Sequence, residues 1–231
     1  MSDQKFEIAQ ALIEASRMMN APPTLDQTLE AITSAALATV PGFTHVGISI
    51  THRDGTIETK SATDELVWEL DRVQYELGEG PGYDAIHGGG VTVVDDARHE
   101  QRWPRYMPEA VRRGLRAQLC VGLYADGHSL GGLNLYSTDA EGVDGDAVGI
   151  AELFAAQASI ALGRSRQEFQ LNEALQSRKV IGQALGLVMQ KYQVDEDRAF
   201  QFLIRASSTG NIKLRDVAAE LVRAANKQAD L

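Results

Sequence analysis

One register constrains this chain more than any other feature. It runs through Ile150, Leu153, Gln157, Ile160, Arg164, Gln167, Leu171, Ala174, Arg178, Ile181, Leu185 and Val188, in steps that alternate between three and four. No proline interrupts it, and the glycines at 163, 182 and 186 are isolated. Such spacing marks one face of a helix, and sustained over this length it reads as a heptad-like seam. At 1.5 Å per residue some 40 residues span about 60 Å, which is long for a helix inside one globular unit. The pattern predicts one helix that leaves a first domain, pairs with a second copy along Ile150, Leu153, Ile160, Leu171 and Ala174, and enters a second domain. The plainer alternative is two consecutive helices that happen to be in phase. Gln157, Arg164, Gln167 and Arg178 weaken the middle of the seam. Polar residues at such positions cost stability but fix register.

The two sides of this helix differ in composition. The chain has 231 residues, enough for one large or two small domains, and a formal charge of -10. Residues 1–171 carry a net of -12 and residues 172–231 a net of +2, so a mildly basic tail follows an acidic body. All five histidines, both tryptophans and all six prolines lie in the body. The acidic total excludes a whole-protein basic footprint for nucleic acid. A single cysteine, Cys120, excludes an intramolecular disulfide framework and a Cys-rich zinc site. No uninterrupted run of 18 apolar residues occurs, so no membrane span is expected, and the acid-bearing N-terminus lacks a signal-peptide core. A cytoplasmic location is expected.

The body alternates helix and strand signals. Helices are expected at 4–20, at 25–39 behind a Thr24 cap, at 64–75 and at 106–114. Strands are expected at His45–Thr51, Thr56–Ser61, Val91–Val94, Leu119–Tyr124 and Leu130–Tyr136. Asp54-Gly55 and Asp126-Gly127 read as hairpin turns. Antiparallel hairpins between helices make an α+β domain. The tail adds helices at 196–208, with Ala199, Phe202, Leu203 and Ala206 inward, and at 213–226, with Leu214, Val217, Ala218, Leu221 and Val222 inward. With the end of the long helix these form a three-helix bundle too small to be robust alone.

Several motifs invite chemistry. Leu77-Gly78-Glu79-Gly80-Pro81-Gly82 lacks the Gly-Lys-Ser/Thr ending of a phosphate loop, and Tyr83 stands where a dinucleotide fingerprint needs its third glycine. It reads as a tight structural turn. Gly127-His128-Ser129-Leu130-Gly131 spells a nucleophile elbow but sits at a hairpin instead of a strand-to-helix turn. The histidines lack metal-ligand spacing, so no metal and no catalytic centre are expected. Cys120, inside an apolar strand, reads as a packing residue. Arg98, Arg102, Trp103, Pro104, Arg105 and Tyr106 set guanidiniums beside aromatic faces, which is either a clamp for an anionic or planar ligand or a surface loop over a tucked-in Trp103. Trp68, Tyr83, Arg102, Trp103, Cys120 and Tyr124 are the candidate pocket residues. In the tail, Arg178, Lys179, Lys191, Arg205, Lys213 and Arg215 are the cations able to meet a polyanion.

Residues 180–222 resemble an ANTAR domain, the RNA-binding module of bacterial transcription antitermination regulators. The resemblance rests on Ile181, Ala184, Gly186 and Met189, then Ala199, Leu203 and Ala206-Ser207, then Asn211-x-Lys213-Leu214-x-x-Val217-Ala218. Residues 5–163 resemble a GAF sensor domain through Tyr75-Glu76-Leu77-Gly78-Glu79-Gly80-Pro81, Arg102-Trp103-Pro104, Gly114-Leu115-Arg116 and Gly131-Gly132-Leu133-Asn134-Leu135-Tyr136-Ser137. The type is that found before ANTAR domains in actinobacterial regulators. Such sequences often carry a cysteine after the Gly-Pro pair, where Gly82 stands here.

The resemblance implies a GAF domain over 1–163, a coiled-coil linker over 164–179 and an ANTAR domain over 180–231, with a six-stranded antiparallel GAF sheet. It implies a homodimer that binds paired RNA hairpins in nascent transcripts and prevents termination, with no covalent chemistry. The RNA face would comprise Arg178, Lys179, Gln183, Lys191, Arg205, Ser207, Asn211, Lys213 and Arg215. Asn211 also reads as a helix cap and Ser207 as part of a C-terminal turn. The effector would be an unidentified small molecule or a signalling kinase, with no bound cofactor and no membrane partner. The alternatives are a ligand-binding GAF protein whose tail serves dimerisation or protein contacts only, a GAF-fold enzyme, and a DNA-binding tail.

Overall fold

In the computed structural model, residues 24–229 are described except 89, 140 and 141; the helix expected at 4–20 lies outside them. Thr24 starts the first described helix, α1 (Leu25–Thr39), through a reciprocal capping box with Gln27. Each partner satisfies a backbone N–H that the helix itself leaves open. Pro41-Gly42 prevents continuation. Leu29, Ile32 and Ala36 then face inward at helical spacing.

Five strands follow: β1 (His45–Thr51), β2 (Ile57–Ala62), β3 (Val91–Val94), β4 (Ala117–Ala125) and β5 (His128–Ser137). They form one antiparallel sheet in the order β2-β1-β5-β4-β3. Asp126 and Gly127 both take positive φ (50° and 75°), as a two-residue hairpin turn between β4 and β5 requires. The expected sixth strand does not occur among the described residues. After β3 the chain enters a loop whose backbone N–H groups are taken by carboxylates. Asp96 accepts from Arg98, and Glu100 from Gln101 and Arg102. Donors used in this way are not available to a ladder.

Alternation along the strands gives the sheet two different faces. On one, Ile48, Leu119, Val121, Leu123, Leu133 and Leu135 pack with α1. The other face carries α2 (Glu65–Leu77), α3 (Pro81–Gly88) and α4 (Tyr106–Arg112). Asp64 caps α2, and Gly78 ends it in the left-handed conformation (φ 59°). A Cβ on Gly47 would sit 2.4 Å from Val67, and one on Gly122 would sit 2.5 Å from the Ala85 carbonyl. Glycine at these two strand positions is what lets α2 and α3 approach the sheet.

The long seam is one uninterrupted helix, α5 (Gly145–Tyr192). The chain divides into two compact units, residues 1–165 and 166–231, and α5 contributes to both. In the first unit Ala147, Ile150, Ala151, Phe154, Ala155, Ala158 and Leu162 are buried with the residues of α1 and the sheet. Ile150, expected in the dimer seam, is therefore used within the chain. Leu153 and Ile160 stay about half exposed (47% and 46%), and Leu171 and Ala174 are exposed. α5 also holds an 18-residue window long and apolar enough to cross a membrane by length and composition, which counting uninterrupted runs does not register. Of that window 44% is buried inside the protein.

The second unit closes with α6 (Glu196–Gly210) and α7 (Leu214–Ala229). Asp195 caps α6, and Asn211 ends it in the left-handed conformation (φ 49°). Ala184, Val188, Ala199, Leu203 and Ala218 form the buried centre, ringed by Ile181, Leu185, Met189, Leu214, Val217 and Leu221. Three alanines at the centre let helices pack closely. Phe202, expected inward, is instead 43% exposed, with its ring 5.5 Å from that of Tyr192. The inward positions of α6 are Ala199 and Leu203, one turn apart, and Phe202 lies off that line.

Candidate functional site

The face of the sheet under α2 and α3 is polar, and it was not anticipated from sequence. Asp71, on α2, is fully buried. Its carboxylate accepts from the Thr59 hydroxyl (2.7 Å), Ser49 (3.0 Å), the Asn134 amide (2.9 Å) and the Tyr136 hydroxyl. Gln74, one turn on, accepts from Gly82 N–H (2.7 Å) and donates to Tyr136 (3.0 Å). Tyr75 donates to Ser49 (2.7 Å) and accepts from Asn134 (2.8 Å). Gln118 accepts from Tyr106 (3.0 Å) and donates to Gln74 and Cys120. Burial pushes Asp71 up from the usual carboxylate range, against the pull of its four donors. Burial likewise pushes Tyr75, Tyr106, Tyr136 and the Cys120 thiol well up. A neutral, buried thiol is a poor nucleophile, which fits Cys120 as a packing residue. The sequence signal was present: Val67, Leu70, Asp71 and Gln74 share the spacing of an inward face, and Gln118 and Asn134 sit in strand patterns among leucines.

The six candidate pocket residues do not converge. Trp68 and Tyr83 line an open cleft of about 1270 Å³ beside β2 and α2, together with Thr59, Arg72 and Tyr75. Tyr83 also stacks on His87, ring centres 4.1 Å apart. Trp103 is buried under its loop, its indole N–H donating to Asp84 (2.9 Å), and Arg102 covers its ring at 4.4 Å. Tyr124 donates to the Ala85 and Ile86 carbonyls and so pins the end of α3. Cys120 faces the polar network. The arginines of the loop are committed to acids of the same unit: Arg98 to Asp96, Arg102 to Glu100 and Arg105 to Glu79. The anion clamp is thus occupied from within, and the tucked-in Trp103 is what the structure contains. Glu79 also accepts from the N–H groups of Arg105 and Tyr106, so the Gly-rich turn presents an anion and not a phosphate cradle. Ser129 is a strand residue whose hydroxyl has no hydrogen-bond partner among the described residues.

In the second unit Arg178, Lys179, Gln183, Lys191, Arg205, Asn211 and Lys213 are exposed. The other two expected RNA contacts are half-buried. Ser207 donates to the Ile212 carbonyl (2.6 Å), closing the turn after α6. Arg215 is engaged with Glu173 and Asp216. The N–H of Asn211 bonds to the carbonyls of Ser207 and Ser208, so this residue caps α6 while its side chain remains at the surface. Sequence reasoning missed Tyr192 and Phe202, which lie exposed in the same unit.

An antiparallel α+β unit joined to a helical unit is the class these features define. The GAF domain family model matches residues 23–163, more than half of the chain, and the chain belongs to that family. The ANTAR domain model matches residues 170–222, so both domains are present. Among solved structures, the chain is similar to the GAF domain of a phosphoenolpyruvate-protein phosphotransferase from Coxiella burnetii, at 14% identity and a TM-score of 0.60, covering 71% of this chain and 98% of that one. It is similar to a domain of a sensor histidine kinase protein from Sinorhizobium meliloti, at 18% identity and 0.54, covering 65% and 98%. It is also similar to free methionine-R-sulfoxide reductase from Neisseria meningitidis, at 18% and 0.54, covering 70% and 91%. At these identities the likeness shows the fold alone. No curated protein matches the chain.

Proposed function

We propose that this protein is a cytoplasmic, signal-responsive RNA-binding regulator of the actinobacterial type. As a homodimer it binds paired hairpins in nascent transcripts and keeps the terminator from forming. The match of residues 170–222 to the ANTAR domain carries this reading, because that domain is generally associated with RNA binding in antitermination. The exposed cations Arg178, Lys179, Lys191, Arg205 and Lys213 support it, standing on the basic end of an otherwise acidic chain. Cations of this kind meet phosphates, while the exposed amides of Gln183 and Asn211 would read base edges of unpaired loop nucleotides. Leu153, Ile160, Phe169, Leu171 and Leu175, all exposed on α5, are apolar surface suited to a second copy. The GAF domain is the sensor. Its effector is a small molecule or a partner kinase, and it acts by favouring one arrangement of the long helix over another.

The test is a salt-dependent titration of the full chain against a two-hairpin RNA, with single-hairpin and loop-scrambled RNAs as controls. Binding should require intact loops. Lys213→Ala should weaken it and lower the slope of log K against log salt by about 0.7–0.9, the share of one phosphate contact. Equal binding to scrambled loops, or none at any salt with and without cell extract, would sink the proposal and leave a tail that serves protein contacts.

A further inference from the structure

Two aromatic rings stand out of the C-terminal unit where its core has no use for them. Tyr192, the last residue of α5, is 53% exposed, and Phe202, on the second turn of α6, is 43% exposed. Their ring centres are 5.5 Å apart and the planes are tilted by 38°. The pair thus forms a compact aromatic surface open on one side. Cations frame it. The Lys191 ammonium lies 5.8 Å over the Tyr192 ring. Arg198 and Arg205 lie four residues before and three after Phe202 on α6, the spacing that puts them on its face of the helix. Both are exposed, Arg198 with 78% of its side chain in solvent. The acids nearest in sequence are Asp195, Glu196 and Asp197 in the first turn of α6. Asp195 is turned to its own helix, capping the Arg198 N–H at 2.9 Å with the guanidinium 3.8 Å away.

An unpaired nucleobase offers a flat π-face bordered by phosphates, and an aromatic pair with cations on both flanks is complementary to it in shape and in charge. We propose that Tyr192 and Phe202 are a stacking platform for one unpaired base of the RNA hairpin loop, with Lys191, Arg198 and Arg205 on the adjoining phosphates. This rests on the RNA-binding reading above and adds to it the residues that take the base. Tyr192, Phe202 and Arg198 lie outside the cation-and-amide face expected from sequence.

The experiment uses the full-length protein and a two-hairpin RNA in which loop adenines are replaced one at a time by 2-aminopurine, whose fluorescence falls when it stacks. At one loop position wild-type protein should change that fluorescence. Phe202→Leu keeps an apolar side chain but no π-face. It should weaken binding about tenfold to a hundredfold and abolish the change, with the salt slope unaltered. Phe202→Trp should retain both, and Tyr192→Leu should behave as Phe202→Leu, with circular dichroism melts showing each variant folded. If wild-type protein binds in a loop-dependent way and both leucine variants match it, the platform is overturned while the RNA reading stands. If wild-type protein binds no hairpin RNA, both fall. If Phe202→Leu changes the sedimenting mass and leaves RNA affinity intact, the rings serve a contact between proteins and the platform is overturned.

Discussion

Asp71 is a carboxyl group buried where hydroxyls and amides answer it. Thr59, Ser49, Asn134 and Tyr136 each donate to it. Among the described residues no cation hydrogen-bonds to it, so dipoles alone answer the carboxylate. Asp71→Ala would strand four buried donors and should cost about 3 kcal/mol or more of stability in urea melts. Asp71→Asn should cost less, since the Ser49 and Thr59 hydroxyls can turn to accept from the new amide. The pH dependence has a definite sign. Burial raises Asp71 above its value in the unfolded chain, so the folded state holds the proton more tightly. Stability from this group is present at low pH and is lost as pH rises through the folded pKa. Asp71→Asn should therefore remove a fall in stability with rising pH that the wild type shows, and equal slopes for the two proteins would show that Asp71 does not titrate there. The same crowding accounts for Gly82. A Cβ there would lie 2.8 Å from the side-chain oxygen of Asn134 and 3.1 Å from that of Gln74, so any side chain at this position would have to displace these buried amides. The inward spacing of Asp71 and Gln74 was legible beforehand, but the network they enter was not. A polar residue on an apolar helix face looks like a break in the pattern until its partners are known, and these come from three strands distant in sequence.

At the scale of elements the sequence was far more readable, because helices and hairpins announce themselves locally. The Thr24 cap, the Asp126-Gly127 turn and the unbroken register of α5 each rest on residues within a few positions of one another. Two kinds of element fact escaped. The partners of Arg102 and Arg105 are a neighbour two residues back and Glu79 from a separate turn, so spacing could not show that the clamp was already filled. And one register turned out to serve two cores and a surface: Ile150 belongs to the body's core, Ile181, Leu185 and Val188 to the tail's, and Leu153, Ile160, Leu171 and Ala174 remain exposed between. Exposed leucine and isoleucine seven residues apart on one helix are what a second copy would cover. Replacing both Leu153 and Ile160 by Lys should halve the sedimenting mass and leave the helical circular dichroism signal of the folded protein in place. An unchanged mass would move the interface elsewhere.

At the scale of the whole molecule the proposed function would divide the labour between the acidic body and the mildly basic tail. A body with a net of -12 repels nucleic acid, so under the proposed function RNA would have to be drawn to a tail whose net is only +2. Long-range attraction from so small a charge is slight at physiological salt, where screening sets in within about 8 Å. One tail on one hairpin should consequently bind weakly, and the affinity needed to compete with a folding terminator has to come from elsewhere. In the proposed dimer two tails would supply it: once the first hairpin was bound, the second would meet its site at an effective concentration set by the tether, raising affinity by about a hundredfold to ten-thousandfold without any new contact. The Leu153→Lys, Ile160→Lys protein tests this directly, since both substitutions lie outside residues 166–231. It should bind a single hairpin as the wild type does and lose the preference for the two-hairpin RNA. If the monomeric variant kept that preference, each tail would have to read both hairpins by itself, and a net charge of +2 would have to be enough.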